Sequence, residues 1–586
     1  MGATVKCMDA RNRSIPDWFT RIKTGQVLLP RFQRHQAWEH AEVGALLEAV
    51  LGNLPAGAVL VLEVGDPQPF VTRPMAGAPA PTERCNEHLL DGQQRLTALW
   101  RSLNDDYDDR TWLIRTEPDE EHRRNKIVVE GKSRWVRKGE RYPQWVDNPA
   151  ALWERGYIPV RLLHPEDIHN DIRAWVDAAT SNDLAKAREL DDEINALRTQ
   201  VKTYNIPYLS LPPSTPKDVA LDVFIKMNTS SVPLTSFDIV VAQIEAASGT
   251  SLHDFVETLG ATVPNAPYYR DIGSWVLDVA ALREDKSPTQ ASYLKLDPEM
   301  LVRDWDRIVE GIQWTTTLLE EERIFDSLRL PSVAVLPILA ALAEHLPTQP
   351  DELGEARRLL RAYLWRAFLT RRYELSVGSR SLQDFRGLKA ALAARTPFDE
   401  LRSLIPIFDE EEYSLPTVEA LEQARWPKYK DILARGVLAV SLQAGGHDLA
   451  DEAMATRESV RNREYHHLFP DSILTGEDAG LASGKSYRAL NCVLITWRTN
   501  RVIAAKEPVT YLRDRILASD LGDQAVLERL STHLVPYKEL AVGWSDITDK
   551  SERGERIRSD YQEFLEARAQ MLIGPMTRLC SGLRLT

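Results

Sequence analysis

The tightest local constraint in this chain lies at Tyr465-His466-His467-Leu468-Phe469-Pro470. A β-competent run ends there in two adjacent imidazoles. Pro470 follows closely, and proline cannot donate to a strand ladder, so the strand must stop. A second apolar run, Leu490-Asn491-Cys492-Val493-Leu494-Ile495, opens on a carboxamide, and Asn500 stands at the start of a helix-like segment. The order predicts two short strands and a helix, with His on the first strand and Asn on the second strand and on the helix. Successive strand side chains point to opposite faces, so both histidines can serve one site only where the strand bends or ends.

These residue types suit the hydrolysis of a phosphodiester. Nucleophile and phosphate are both electron-rich, so the site needs a base of near-neutral pKa and a cation to offset charge. His467 is the expected base, and His466 and Asn500 are the expected metal ligands. Asn491 joins the catalytic set as the residue that braces the hairpin and orients the His467 ring. Mg²⁺ or Mn²⁺ is the expected ion, with an imidazole at 466 favouring Mn²⁺ or a softer metal over Mg²⁺.

A second signature lies upstream. Asp91-Gly92-Gln93-Gln94-Arg95-Leu96-Thr97 follows Leu89-Leu90 and precedes Ala98-Leu99-Trp100. It reads as strand, tight turn and helix start, with Gly92 permitting the turn. A helix N-terminus offers free N–H groups to an anion, Arg95 can grip phosphate, Gln93 or Gln94 can orient a water, and Asp91 can hold a metal or cap the turn. Leu29-Pro30-Arg31-Phe32-Gln33-Arg34 and Val223-Phe224-Ile225-Lys226-Met227-Asn228-Thr229 are two further segments of the same character.

Together these residues resemble GmrSD-like and Ssp-type DNA restriction (phage-defence) proteins. The Asp-Gly-Gln-Gln-Arg turn, with the segments at 29–34 and 223–229, resembles their ParB-like N-terminal domain. The His-His, Asn491 and Asn500 set, with the tail Phe564-Leu565-Glu566-Ala567-Arg568, resembles their C-terminal HNH nuclease domain. The resemblance implies binding and hydrolysis of a nucleoside triphosphate (GTP, ATP or UTP) coupled to sensing of modified double-stranded DNA. Carried over by position, Gln33, Arg34, Asp91, Gly92, Gln93 and Asn228 fall to the nucleotide site, with Gln94 and Arg95 as its catalytic pair. Where HNH sequences often carry Asp or Glu before the catalytic His, this chain carries His466. No Walker-type phosphate loop occurs, so nucleotide hydrolysis would need a different cradle.

Length sets the number of cores. The 586 residues call for three or four domains' worth of burial. We expect an α+β multidomain chain: a ParB-like α/β domain over 1–240, a helical coupling domain over 241–440, and a ββα-metal (HNH) nuclease domain over 441–586. Strands are expected at 59–64, 111–114 and 206–211, and a charged helix over 183–203. The proline-rich stretch 67–82 is a surface loop or a lid over bound nucleotide.

The net charge of −14 argues against a protein that coats DNA nonspecifically, since Lys and Arg supply that affinity. Two basic stretches stand out against it, 121–141, which reads as a hairpin from Ile127-Val128-Val129 and Trp135-Val136, and the helix from Arg357 to Tyr373, and either could follow a DNA backbone. Cys7, Cys85, Cys492 and Cys580 form no Cys-x-x-Cys pair, which excludes a Cys₄ zinc site and favours a reducing, cytoplasmic setting. The longest apolar run, Val333 to Leu342, is too short to span a bilayer and reads as a buried helix. The expected activity is a modification-dependent, nucleotide-regulated endonuclease, with self-association into a homo-oligomer compatible with it. The alternatives are a modified-DNA or nucleotide sensor with an inactive nuclease fold, and an RNA-cutting effector.

Overall fold

The computed structural model describes residues 9–33, 38–66, 68–116, 127–217, 219–220, 223–224, 236–248, 250–482 and 484–585. Arg34 and Asn228, and Arg123, Arg124 and Lys126 of the first basic stretch, lie outside the described residues. The chain divides into two compact units, residues 1–254 and 255–586.

Among the described residues the first unit has eleven strands: β1 (Asp9–Ser14), β2 (Val27–Pro30), β3 (Val59–Glu63), β4 (Thr72–Arg73), β5 (Glu87–Asp91), β6 (Arg110–Arg115), β7 (Val128–Ser133), β8 (Trp135–Arg137), β9 (Glu140–Tyr142), β10 (Tyr157–Pro159) and β11 (Asn205–Leu211). Six of them form one mixed sheet in the order β1-β11-β3-β5-β2-β4. β11 runs parallel to β3, and β2 runs parallel to β5. The central strand β3, Val-Leu-Val-Leu-Glu, is buried through Leu62, as a strand covered on both faces must be. Helices α1 (Ile15–Thr24), α2 (Gln93–Leu103) and α3 (Leu184–Thr203) share a core with the sheet, with Trp18, Leu96 and Ile194 fully buried in it. Local chemistry sets their ends. Ser14 Oγ accepts from Asp17 N at 3.3 Å to start α1, and Asp183 Oδ1 accepts from Ala185 N at 3.1 Å to start α3.

The basic stretch after residue 126 is not one hairpin. β7 pairs with β6 in a three-stranded sheet, while β8 and β9 make a separate hairpin on which Trp135 stacks against Tyr142. Lys132 is paired with Glu130, Arg134 with Asp147, and Arg141 lies 3.9 Å from Asp105.

The second unit is mainly helical. Its principal helices include α4 (Ile272–Arg283), α5 (Trp305–Glu321), α6 (Val335–Leu342), α7 (Pro350–Leu369), α8 (Val377–Ala394) and α9 (Ile432–Gln443). Every residue of α6 is buried, though the helix starts two residues later than the apolar run, with Val333 exposed before it. Three arginines on and just after α7 are committed to internal partners, while Arg357 and Arg371 are exposed. Arg361 meets Glu322 at 2.6 Å, Arg366 meets Glu410 at 2.7 Å, and Arg372 meets Asp384 and Tyr413, each at 2.8 Å. A buried charge must be paired in this way, so these arginines pin the interior and do not line a groove. Among the described residues no helix is long and apolar enough to cross a membrane.

Candidate active site

Near the carboxyl end, β12 (Arg463–His467) pairs antiparallel with β13 (Cys492–Thr496), setting His466 opposite Val493 and His467 opposite Cys492. Helix α10 (Trp497–Ile503) follows directly, and the long helix α11 (Lys550–Cys580) packs behind. β12 ends at His467, as Pro470 demands. The opening of β13 is held by Arg568 of α11. Its fully buried guanidinium donates to the carbonyls of Leu490, of Cys492 at 3.0 Å, of His533 at 3.0 Å and of Leu534 at 3.2 Å. Burial lowers the Arg568 pKa to about 10, so it stays charged at neutral pH.

The start of α10 is fixed by a buried carboxylate. Thr496 Oγ1 caps the helix, and Asp448 accepts from Thr496 N at 2.6 Å and from the Thr499 hydroxyl. Burial pushes the Asp448 carboxyl up, but these hydrogen bonds outweigh it and hold its pKa below the usual carboxylate range. Asn500 is thereby carried to a set position over β12.

His466 and Asn500 meet there. His466 Nδ1 lies 2.7 Å from Asn500 Oδ1, and Asn500 Nδ2 donates to Glu464 Oε2 at 2.6 Å. The bond to Glu464 fixes the carboxamide, so its oxygen faces the imidazole and Nδ1 carries the proton. Glu464 and His466 are two residues apart on a strand and share a face. Burial holds the His466 pKa down to about 4, with His467 adding to the effect and Asn500 opposing it. The ring is neutral at pH 7. Its Nε2 is buried without a hydrogen-bond partner among the described residues.

His467 points to the other face of β12. Its ring stacks on Trp426 at 4.1 Å with an interplanar angle of 17°, and the edge of Tyr487 closes a third side at 4.8 Å. Burial lowers its pKa too, against the pull of Asp471, and its Nε2 is likewise unpartnered. Asn491 is fully buried and acts as a clamp. It accepts from Phe469 N at 2.7 Å and donates to Phe469 O and Ser486 O, each at 3.0 Å. The structure thus joins His466 and Asn500 directly, turns His467 to the opposite face of the strand, and gives Asn491 a bracing position on Phe469 and Ser486, the His467 ring being held by Trp426 and Tyr487 instead.

Three contributors were missed from sequence. Glu464 has a local signal, the two-residue strand period relative to His466. Asp448 and Trp426 have none, because both reach the site through tertiary contacts. Trp426 also lies before residue 441, so the site draws on more of the chain than the nuclease segment expected from sequence. Among the described residues no three His, Cys, Asp or Glu side chains are grouped as a metal cage.

The Asp-Gly-Gln-Gln-Arg segment takes the strand-turn-helix form. Gly92 is left-handed at φ 92°, and a Cβ there would lie 2.7 Å from the Val59 side chain. Arg95 donates to Ala58 O at 2.8 Å and lies 3.8 Å from Asp91. Burial raises the Asp91 pKa, with Arg95 and the Gly92 N–H opposing it. Gln33 donates to the Leu89 and Leu90 carbonyls at 2.6 and 3.0 Å, tying its loop to β5. Gln94 Oε1 accepts from Trp38 N at 3.4 Å, and Gln93 is buried. The segment therefore brings Asp91, Gly92, Gln93, Gln94, Arg95 and Gln33 together at one end of the sheet.

Comparison with known proteins bears on both units. An uncharacterized protein of Methanocaldococcus jannaschii is 22% identical over 626 aligned residues, which cover 97% of this chain and 99% of that protein. Residues 15–245 match the family described as GmrSD restriction endonuclease, N-terminal domain, so the first unit of this chain is similar to that domain.

Proposed function

We propose that this chain is a restriction-type DNA endonuclease whose cleavage depends on DNA modification and is regulated by nucleotide. The match of residues 15–245 to a GmrSD N-terminal domain supports the restriction class. The observation that carries the cleavage reading is the direct contact of His466 with Asn500 across the strand-helix junction, with His467 ending the same strand.

In this reading His467 is the base. Its burial keeps the imidazole neutral at physiological pH, so it can take a proton from water. The stack on Trp426 fixes the plane of the ring without consuming a ring nitrogen. His466 and Asn500, with Glu464 adjoining, would hold a divalent cation such as Mg²⁺ or Mn²⁺. The donor set fits with the ion in place of the Nδ1 proton: the imidazole Nδ1 of His466 and the carboxamide Oδ1 of Asn500 lie 2.7 Å apart, and the Glu464 carboxylate adjoins them. Among the described residues the buried Nε2 of His467 has no partner, and an orphaned buried acceptor costs about 1–3 kcal/mol, a cost retained where function requires it. When bound, the ion would offset charge on the pentacoordinate phosphate and the leaving oxygen.

The first unit supplies the regulation in this reading. Asp91, Gly92 and Gln93, with Gln33, Arg34 and Asn228, would bind a nucleoside triphosphate (GTP, ATP or UTP), and Gln94 and Arg95 would assist its hydrolysis. The left-handed turn at Gly92 and the N-terminus of α2 support anion binding there. A ligand gates a nuclease only by favouring one of two states, and the nucleotide and the modified double-stranded DNA are the two ligands available to do so.

The test is nicking of phage and plasmid DNAs of differing modification by the full chain in Mg²⁺ or Mn²⁺, with and without each triphosphate. Wild type should nick, while His467→Ala and Asn500→Ala should not. Equal nicking by His467→Ala would remove the base assignment, and cutting of tRNA or mRNA in place of DNA would overturn the substrate.

A further inference from the structure

The segment Arg425-Trp426-Pro427-Lys428-Tyr429-Lys430 carries three cations and no acid in a chain of net charge −14. Arg425, Lys428, Tyr429 and Lys430 are exposed, Tyr429 at 49%, while Trp426 is buried. By contrast, Arg361, Arg366 and Arg372 of the same unit are each paired with a carboxylate. Among the described residues none of the three cations here lies within ion-pair distance of a carboxylate, and Arg425 instead sits over the Tyr429 ring at 5.7 Å.

This cationic turn is anchored on both sides. Arg425 bridges Arg488 through the backbone, Ala489 N donates to Ala424 O at 3.0 Å, and Arg488 Nη1 donates to Gln423 O at 3.0 Å. Trp426 packs on Tyr465, on Tyr487 and face to face on His467. The turn is closed by Tyr429 N to Trp426 O at 3.0 Å, and Arg435 Nε donates to Pro427 O at 3.3 Å. A rigid turn thus presents three uncompensated charges and an aromatic ring to solvent, one residue from the indole that covers His467.

We infer that residues 425–430 form a contact surface for the phosphate backbone of the double-stranded DNA that carries the scissile bond. This rests on the proposed nuclease reading for the location of the cut, but the contact itself is tested without cleavage. Unpaired cations held in fixed positions give affinity through counterion release, and each phosphate neutralised adds about 0.9 to the slope of log affinity against log salt. Tyr429 offers a ring face to a sugar or base at the edge of the footprint.

The experiment measures binding of the full chain to a fluorescent DNA duplex by anisotropy over a salt series, in EDTA so that no cleavage occurs. The triple variant Arg425→Gln, Lys428→Gln, Lys430→Gln should make the slope less negative by about 2 to 3 and weaken binding about ten-fold or more at moderate salt. A control of equal charge change on α3, Lys186→Gln, Arg188→Gln, Lys202→Gln, should leave the slope unaltered. All six positions are solvent-exposed, so a matched unfolding midpoint certifies both variants as folded. An unchanged slope in the first variant, an equal change in the control, or a loss confined to an RNA duplex would each overturn the inference. Absence of nicking by wild type would count against the nuclease reading alone, because the salt slope is read without it.

Discussion

Asn491→Ala tests how the strand end is held. The wild-type side chain is fully buried and makes three hydrogen bonds, all to backbone: from Phe469 N, to Phe469 O and to Ser486 O. Ser486 O keeps Arg488 N at 2.9 Å, so alanine orphans chiefly the two Phe469 groups. Each buried orphan costs about 1–3 kcal/mol, giving a local loss of about 2–6 kcal/mol. The chain has two compact units, so a single unfolding free energy is not the right measure. Amide exchange is, because it reports opening at the site itself. At about 1.4 kcal/mol per factor of ten, protection across 468–471 should fall about thirty-fold or more. Asn491→Asp sharpens the test. It keeps an acceptor for Phe469 N but turns a charged oxygen on two carbonyls, so it should be no better than alanine at neutral pH. Unchanged protection in Asn491→Ala, or wild-type protection in Asn491→Asp, would refute the clamp.

Two more perturbations follow from the fold. Gly92→Ala meets both a left-handed backbone and the Val59 side chain at 2.7 Å. It should destabilise the first unit by about 2–4 kcal/mol, combining the left-handed penalty with overpacking, read as a lower urea midpoint or early proteolysis of residues 1–254. Acid should weaken both units. His88 in the first unit and His466 in the second have folded pKa values lowered by burial to about 4, and that of His533 is lowered to about 3. Each titrates near 6.5 when unfolded, so below pH 6.5 the unfolded chain binds more protons. The stability is therefore whole above pH 6.5 and lost as pH falls toward 4, by up to about 1.4 kcal/mol per pH unit for each ring. Urea midpoints at pH 7.5 and 5.0 check this, and a midpoint that rises on acidification would contradict it.

What could be read from sequence was what is encoded locally. The Gly92 turn, the strand stop before Pro470, the start of α3 at Asp183 and the buried run of α6 are each set by neighbouring residues, and each lies where the pattern put it. The pairing of β7 with β6 was not legible, since two adjacent β-competent runs read alike whether they pair with each other or with a distant strand. The arginines after residue 357 looked like a cationic stripe because their partners, Glu322, Asp384 and Glu410, are remote in sequence or face an unpredictable side. The same limit hid Asp448 and Trp426. Each meets the site across more than forty residues, and only the packing of the second unit brings them there.

The proposed cleavage depends on His466 and Asn500 forming one cation site. Manganese titration of the full chain, followed by electron paramagnetic resonance, addresses that without reference to DNA. Wild type should take up one Mn²⁺ per chain that Asn500→Ala and His466→Ala each bind about ten- to hundred-fold more weakly, with the Asn491 region still protected from exchange. Equal uptake by wild type and both variants would contradict it.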